Sequence, residues 1–277
     1  MKLFSFIAVL LLLLSCSKDD ELDISFDEKF INLSTHKLKT YTVETQSDYL
    51  VVFESGLGDD YSVWQFKNVA EEISQKMDVL IYDRGGYGES TIDSSARDIN
   101  RLRIELESVI NEFATDRKVI LVGHSLGGLI IRDYAIKNQE KIAALLFVDP
   151  SHEYYNQPTQ ENEDLIYDAF RDAYGADFGG TKEVRQLRED FDYISSLSDL
   201  PNVPTVVLTS MKNDDSNQTS DQTYNKTRQD WYNAHELLKN GVDDFTHIQT
   251  TNSGHYIMLE EPGLITENLN LLISKLP

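Results

Sequence analysis

Cysteine is nearly absent from this sequence. The 277 residues contain one, Cys16, so the chain cannot form an internal disulfide. It also has no Cys/His spacing typical of a metal site and no phosphate-binding loop, since "SGLGDD" lacks the lysine and the spacing that such a loop needs. We therefore expect no metal ion and no cofactor.

Positive charge is scarce as well. Lys and Arg number 25 against 47 Asp and Glu, which gives a formal net charge of −22. A surface this acidic repels phosphate backbones and anionic headgroups, and it favours solubility. The charge balance thus predicts no nucleic acid partner, and it says nothing about the fold.

The apolar run near the N terminus is too short to span a membrane. It covers residues 3–14, twelve positions, whereas a transmembrane helix needs roughly 20. With Lys2 before it, the run is typical of a secretory signal peptide. The following "LLSCSKDDE" places Cys16 directly after the small residue Ser15, which resembles the lipobox of bacterial lipoproteins. That resemblance implies a signal peptide at 1–15 and an acyl anchor on Cys16.

The residues behind Cys16 bear on its destination. "KDDE", residues 18–21, resembles the export signal that carries some lipoproteins to the outer face of the outer membrane. We therefore expect a bacterial cell envelope lipoprotein at the outer membrane, with residues 16–30 as an acidic tether. Lys2 is the only charged residue before Cys16, so cleavage would change the net charge from −22 to −23.

From about residue 31 the sequence alternates strand-like and helix-like runs. This alternation predicts an α/β fold with a mostly parallel central sheet flanked by helices. "KLKTYTVET" predicts an early antiparallel strand, and "DFTHIQT" predicts the last strand. The strands expected to be buried on both faces are continuous apolar runs, namely "YLVVFESG", "DVLIYD", "KVILVG", "AALLFVD" and "TVVLTS".

Residues 151–200 interrupt this alternation of strand-like and helix-like runs. They contain no convincing strand and are rich in Asp, Glu, Tyr and Gln. An insertion of about fifty residues is too long for a connecting loop, so we expect a helical cap between two strands of a core formed by 31–150 and 201–277. Its aromatic side chains could line an apolar pocket or pack on the core; they are Tyr154, Tyr155, Tyr167, Phe170, Tyr174 and Phe178.

A short glycine-rich segment carries the strongest chemical signal. Residues 123–127, "GHSLG", match G-x-S-x-G between a predicted buried strand and a predicted helix. That context matters because the serine of a nucleophile elbow sits on a strained turn, where neighbouring side chains larger than hydrogen would clash. The segment predicts Ser125 as a nucleophile.

Three segments make the chain from about residue 38 onwards resemble an α/β-hydrolase. Besides "GHSLGG", "YDRGGYGES" at 82–90 is similar to the loop after the fourth strand in many members. "SGHYIMLEEP" at 253–262 is similar to the segment that holds their catalytic histidine. The resemblance implies the α/β-hydrolase fold and an esterase-like or lipase-like activity, and it says little about the substrate.

A serine hydroxyl needs a base within hydrogen-bond reach. Of the six histidines, His255 alone falls in a loop just after the final predicted strand, at the edge of the sheet where the elbow also emerges. Chain order agrees, because the histidine of this family comes last. We therefore predict His255 as the base.

The acid has two candidate positions. The family usually places it after the strand two beyond the nucleophile strand, here Asp214 or Asp215, but no glycine follows that strand and Asn213 falls where the acid is expected. The other candidate is Asp149, in an Asp-Pro setting like that of vertebrate pancreatic-type lipases. Either carboxylate could reach His255, and we favour Asp149.

The oxyanion of the tetrahedral intermediate also needs hydrogen-bond donors. The resemblance assigns the backbone N–H groups of Leu57, in "ESGLGDD", and of Leu126. The first hypothesis is thus a serine hydrolase that cleaves a small-molecule carboxylic ester. Lactonases, thioesterases and peptidases share the triad and stay open, as does a non-catalytic surface binding lipoprotein. Ser125 argues against dehalogenase or epoxide hydrolase chemistry, which uses Asp at this position.

Overall fold

The computed structural model describes residues 24–213 and 226–277. Three predicted site residues, Cys16, Asp214 and Asp215, lie outside the described residues, as does the predicted signal peptide. Among the helices of the described ranges, none combines the length and the apolar composition that a membrane span needs.

Within the described residues, eight strands form one sheet in the order β1-β2-β4-β3-β5-β6-β7-β8. The strands are β1 (Asp27–Asn32), β2 (Lys37–Val43), β3 (Tyr49–Glu54), β4 (Asp78–Tyr82), β5 (Lys118–His124), β6 (Ile142–Val148), β7 (Thr205–Ser210) and β8 (Phe245–Thr250). β2 runs antiparallel to β1 and β4, and all other neighbours are parallel. The predicted α/β class and the early antiparallel strand are confirmed.

β1 was not predicted. It begins at Asp27, within residues 16–30 where the sequence predicted a tether, and it pairs with β2 along its whole length. Five of its six side chains are exposed, and the first three are charged. Charged side chains protect an edge strand from pairing with other chains, but they also remove the apolar alternation that identifies a strand. The ordered sheet therefore begins before residue 31.

Helices cover both faces of the sheet. They are α1 (Val69–Ser74), α2 (Ile99–Phe113), α3 (Leu126–Lys137), α4 (Glu153–Asn156), α5 (Gln160–Tyr174), α6 (Gly179–Val184), α7 (Leu187–Ser195), α8 (Arg228–Glu236), α9 (Ile257–Glu260) and α10 (Pro262–Ser274). Short 3₁₀ helices span Tyr61–Trp64, Gln139–Lys141 and Leu237–Lys239. α2 shows how local sequence fixes such a helix, since the Asp98 side chain accepts the Arg101 N–H at its start.

The sheet is buried between two apolar layers, because successive side chains of each strand point to opposite faces of the sheet. In β3, Leu50 and Val52 join the cluster that contains α2 and α3, while Val51 and Phe53 join the cluster that contains α1 and α10. Strands buried on both faces appear in sequence as continuous apolar runs, which is why β3 was predictable.

The helices α4 to α7 lie between β6 and β7, where the sequence predicted the cap. α6 and α7 are firmly attached, because Val184, Leu187, Phe191 and Ile194 are buried in the same cluster as α2 and α3. α5 lies outside them, and Glu163 is the one of its fifteen residues that is fully buried. The cap is therefore packed on the core mainly through α6 and α7.

Candidate active site

Ser125 occupies the turn between β5 and α3. Its backbone has φ 52° and ψ −120°, a conformation that non-glycine residues rarely adopt and that is common at functional sites. The turn requires glycine on both sides: a Cβ on Gly123 would lie 2.7 Å from the carbonyl oxygen of Gly127, and a Cβ on Gly127 would lie 2.4 Å from that of Glu54. The backbone at Ser125 thus makes the kind of strained, glycine-flanked turn that the sequence predicted for this segment.

Backbone hydrogen bonds tie this elbow to the end of β6. The carbonyl oxygen of Ser125 accepts the N–H of Gly128 and the N–H of Ser151, each at 2.9 Å. The N–H of Ser125 donates to the carbonyl oxygen of Val148 at 3.3 Å. These bonds bring the residues that follow β5 and β6 together at the carboxyl edge of the sheet.

Ser125 opens into a cavity of about 180 Å³ between the core and the cap. Core and cap residues line it, namely Leu57, Ser125, Leu126, Asp149, Ser151, Tyr155, Asn156, Ile166, Leu187, Phe191, Arg228, Trp231 and His255. Of the six cap aromatics considered from the sequence, all within the described residues, Tyr155 is the one that lines the cavity. The cavity thus brings the predicted nucleophile, base and acid to one place.

His255 and Asp149 form a close pair. His255 Nδ1 lies 2.7 Å from Asp149 Oδ2. Burial of Asp149 would raise the pKa of its carboxyl, but the hydrogen bonds from His255 and Trp231 outweigh the effect of burial, so that pKa is lowered from its usual value. An ionised carboxylate only accepts, so we assign the hydrogen to Nδ1 of His255. Nε2 then has a free lone pair, as a general base requires.

The other oxygen of Asp149 is fixed by two donors. Oδ1 accepts the indole N–H of Trp231 at 2.7 Å and the backbone N–H of Ser210 at 2.8 Å. Asp149 itself has φ 43° and is completely buried. Sequence reasoning missed Trp231, because nothing in the pattern of α8 distinguishes this indole from a core side chain.

His124, inside the elbow motif, does not line the cavity that holds Ser125, and its ring lies 4.6 Å from the ring of His255. Its Nε2 lies 3.1 Å from the carbonyl oxygen of His255, and because a carbonyl only accepts, Nε2 must carry the hydrogen. Burial lowers the pKa of His124, which favours the neutral ring. His124 therefore fixes the backbone of His255 through this hydrogen bond.

The remaining described histidines have other contacts. His235 and His247 both hydrogen-bond to Thr209 Oγ1, at 2.6 and 2.7 Å. His152 Nδ1 accepts a backbone N–H at the start of α4. His36 belongs to an ionic cluster below the cap. The described residues that line the cavity of Ser125 include none of these four histidines.

The two predicted oxyanion donors also border the cavity. Leu126 is the first residue of α3, so its N–H has no partner inside the helix and lies at the positive end of the helix dipole. Leu57 lies in the loop after β3 and lines the same cavity. Both positions suit a backbone donor aimed at a substrate oxygen.

One group of side chains has the residue types of a metal site. Potential ligand atoms of His36, Asp93 and Glu105 lie within 4.8 Å of one another. Both carboxylates already face arginines, however: Arg97 Nη1 lies 2.6 Å from Glu105, and Arg101 Nε lies 2.7 Å from Asp93. Two guanidinium charges at this point disfavour a cation, so the group is an ionic cluster that supports the loop after β4.

Sequence comparison matches the chain to a family model and to several distant relatives. A family model described as the alpha/beta hydrolase fold matches residues 49–265. The uncharacterized protein YqjL of Bacillus subtilis (strain 168) is 24% identical over 241 residues, which cover 82% of this chain and 88% of that protein. The match therefore extends over the cap as well as the core.

Comparison with solved structures also finds proteins that share this fold. A thermophilic esterase from Thermogutta terrifontis superimposes with a TM-score of 0.68 at 16% identity, over 90% of this chain and 98% of that one. The epoxide hydrolase CorEH gives a TM-score of 0.67 at 13% identity, over 90% and 99%. At such low identity, the likeness shows a shared fold among enzymes of different chemistry.

Proposed function

The chain belongs to the α/β-hydrolase family, and from that premise we propose that it is a serine hydrolase that cleaves carboxylic esters through an acyl-enzyme. The observation that carries the proposal is the set of three side chains at one cavity. Ser125 stands on a strained elbow, and His255 borders the same cavity with its Nδ1 held by the buried carboxylate of Asp149.

The reaction follows from this arrangement. Ser125 Oγ attacks the ester carbonyl carbon while His255 Nε2 takes the hydroxyl proton, and the carbonyl electron pair moves onto oxygen. The N–H groups of Leu57 and Leu126 stabilise that oxyanion. The C–O bond to the alcohol then breaks, and His255 protonates the departing oxygen. Water, deprotonated by His255, releases the acid by the same steps.

Three features narrow the range of possible substrates. A serine at the elbow supports acyl transfer over epoxide opening, which in this fold uses an aspartate. The cavity, at about 180 Å³, is smaller than the roughly 300–1,000 Å³ of sites for drug-sized ligands. The cap contributes the apolar side chains of Ile166, Leu187 and Phe191 to its lining, beside the polar Tyr155 and Asn156. We propose a short, uncharged acyl group.

Turnover of p-nitrophenyl acetate tests the proposal. Ser125→Ala should lower kcat/KM by at least about a thousandfold, whereas Ser151→Ala, which removes another hydroxyl at the same cavity, should stay within about twofold of the wild type. Full activity in Ser125→Ala would disprove the assignment. Labelling by a fluorophosphonate probe would distinguish a serine hydrolase, which is labelled, from a non-catalytic binding protein, which is not. Rates on a panel of thioesters, lactones and aminoacyl amides would distinguish the acyl hydrolases that share the triad.

We also propose that the enzyme is a cell envelope lipoprotein anchored through Cys16. The lipobox-like "LLSCSKDDE" supports this. Each CH₂ of an acyl chain contributes about 0.8 kcal/mol to membrane binding, so more than one chain is needed for a stable anchor. Cys16→Ala should move the protein from the membrane to the soluble fraction and abolish incorporation of radiolabelled palmitate. Unchanged fractionation would contradict the anchor.

A further inference from the structure

A buried arginine contacts the loop that carries the proposed oxyanion donor. We call residues 55–58 the oxyanion loop. Arg84 Nη1 donates to the carbonyl oxygen of Ser55 at 2.7 Å, and Nη2 donates to that of Gly56 at 2.8 Å. The Arg84 side chain is 2% exposed. Its charge therefore acts on two backbone carbonyl groups in a water-free environment, where such hydrogen bonds are strong.

The bond to Gly56 has a direct geometric consequence. The carbonyl of Gly56 and the N–H of Leu57 belong to the same peptide group, which is planar and, with no cis peptide in the described chain, trans. The C=O and N–H of a trans peptide point in opposite directions. By holding the carbonyl oxygen of Gly56, Arg84 therefore fixes the orientation of the Leu57 N–H.

Arg84 is in turn held by the cap. Glu183 of α6 accepts its Nε at 3.1 Å through Oε1 and its Nη2 at 3.1 Å through Oε2. The remaining bond joins Nη1 to Glu54 at 2.9 Å. All five N–H groups of the guanidinium are thereby used. The position of Arg84 thus depends on a carboxylate supplied by the cap.

Tyr87 makes a second connection between the same partners. Its hydroxyl donates to Glu183 Oε2 at 2.6 Å and accepts the N–H of Gly58 at 3.3 Å. The oxyanion loop is therefore held on both sides of Leu57, at Gly56 and at Gly58. Both connections converge on Glu183, which is 1% exposed.

We propose that Arg84 is a positioning residue that aims the Leu57 N–H, and that Glu183 couples the cap to the oxyanion hole through Arg84 and Tyr87. The proposal rests on the function proposed above. A purely structural ion pair would need no contact with the loop, and buried ion pairs are weak contributors to stability when compared with apolar packing. Two of the five Arg84 hydrogen bonds go instead to the backbone beside the oxyanion donor.

Two variants and one matched control test the coupling. Glu183→Gln removes the cap carboxylate and keeps the size of the side chain, and Tyr87→Phe removes the hydroxyl between Glu183 and Gly58 while leaving every charge in place. The control, Asp78→Asn, removes another buried carboxylate that is paired with an arginine, at the start of β4, where its partners are Arg117, Thr45 and Ser47. Hydrogen–deuterium exchange is measured on peptides that cover residues 54–60, and ester kinetics are measured in parallel.

We expect exchange in residues 54–60 to be about tenfold faster in Glu183→Gln and less accelerated in Tyr87→Phe, with the control equal to the wild type. We also expect kcat to fall about tenfold in Glu183→Gln with KM within about twofold, because an oxyanion donor acts in the transition state. Unchanged exchange in both variants, or equal acceleration in the control, would overturn the coupling. If the wild type hydrolyses no ester, the proposed function fails, but the exchange data still decide the coupling. If Glu183→Gln does not fold, Tyr87→Phe decides it.

Discussion

Trp231 donates its indole N–H to Oδ1 of Asp149 at 2.7 Å, while Oδ2 of the same carboxylate accepts from His255 at 2.7 Å. The carboxylate is therefore held between a fixed donor and the proposed base. Because Asp149 is completely buried, neither oxygen is solvated by bulk water, and its orientation depends on these protein donors. The orientation of the proposed acid, Asp149, therefore depends on Trp231 as well as on His255.

The first prediction concerns the identity of the acid. Asp149→Asn should lower kcat by at least about a thousandfold, because an amide in place of the carboxylate no longer stabilises the imidazolium and can favour the wrong tautomer of His255. The measurement is steady-state hydrolysis of p-nitrophenyl acetate by folded protein. The double substitution of Asp214 and Asp215 by Asn is the control, and it should retain activity within about twofold. A large loss in that double variant alone would transfer the role to residues 214–215.

The second prediction concerns Trp231. Trp231→Phe keeps an aromatic ring beside Asp149 but removes the N–H, so we expect kcat to fall about tenfold with little change in KM, as for a lost charge-assisted hydrogen bond. Tyr232→Phe, at the next position of α8, removes a hydroxyl that hydrogen-bonds to Glu236 and does not line the cavity, so it should behave as the wild type. Equal kinetics for both variants would show that Asp149 needs no support from the indole.

The third prediction concerns acyl chain length. Ile166 of α5 lines the cavity and is partly buried, whereas Leu165 beside it is 63% exposed. Ile166→Ala should raise the ratio of kcat/KM for hexanoyl over acetyl esters by roughly tenfold, because the added space accommodates extra methylene groups. Leu165→Ala should leave that ratio unchanged. If both substitutions shift it equally, the acyl group does not bind beneath α5.

Local patterns account for what the sequence could predict. The elbow around Ser125 is a contiguous motif, and each buried strand is a continuous apolar run, so both could be recognised without knowing which elements pack together. His255 could be singled out as the proposed base because only one histidine follows the last predicted strand. The favoured acid, Asp149, depended on a weaker argument, but it too stands next to a predicted strand.

Long-range polar contacts are what the sequence could not provide. Glu183 and Arg84 are separated by 99 positions, and Trp231 and Asp149 by 82. Buried charges of this kind resemble solvated surface residues in a sequence, because composition does not show which side chains are paired. β1 was missed for the opposite reason, since its charged residues really are exposed and only its backbone pairing makes it a strand.

The last prediction follows from a buried carboxyl in the cap. Asp190 of α7 is 4% exposed, and its Oδ1 accepts the N–H of Ile99, the first residue of α2, at 2.8 Å. Burial raises the pKa of Asp190 to about 8, against the lowering effect of that hydrogen bond. The pKa of an aspartate in an unfolded chain is about 3.9, so between these two pKa values the folded protein binds the proton more tightly. The free energy of unfolding should therefore fall as pH rises from about 4 to about 8.

Asp190→Asn removes this titration and keeps an oxygen that can accept the Ile99 N–H. Urea unfolding at pH 6 and pH 9 should show a smaller loss of stability in the variant, which we expect to be more stable than the wild type at pH 9 by about 1 kcal/mol or more. Asp192→Asn, at an exposed position of α7, controls for the loss of one negative charge from an acidic protein. Equal pH dependence in the wild type and Asp190→Asn would mean that the carboxyl ionises in the fold without cost, and that the contact between α7 and α2 tolerates a buried charge.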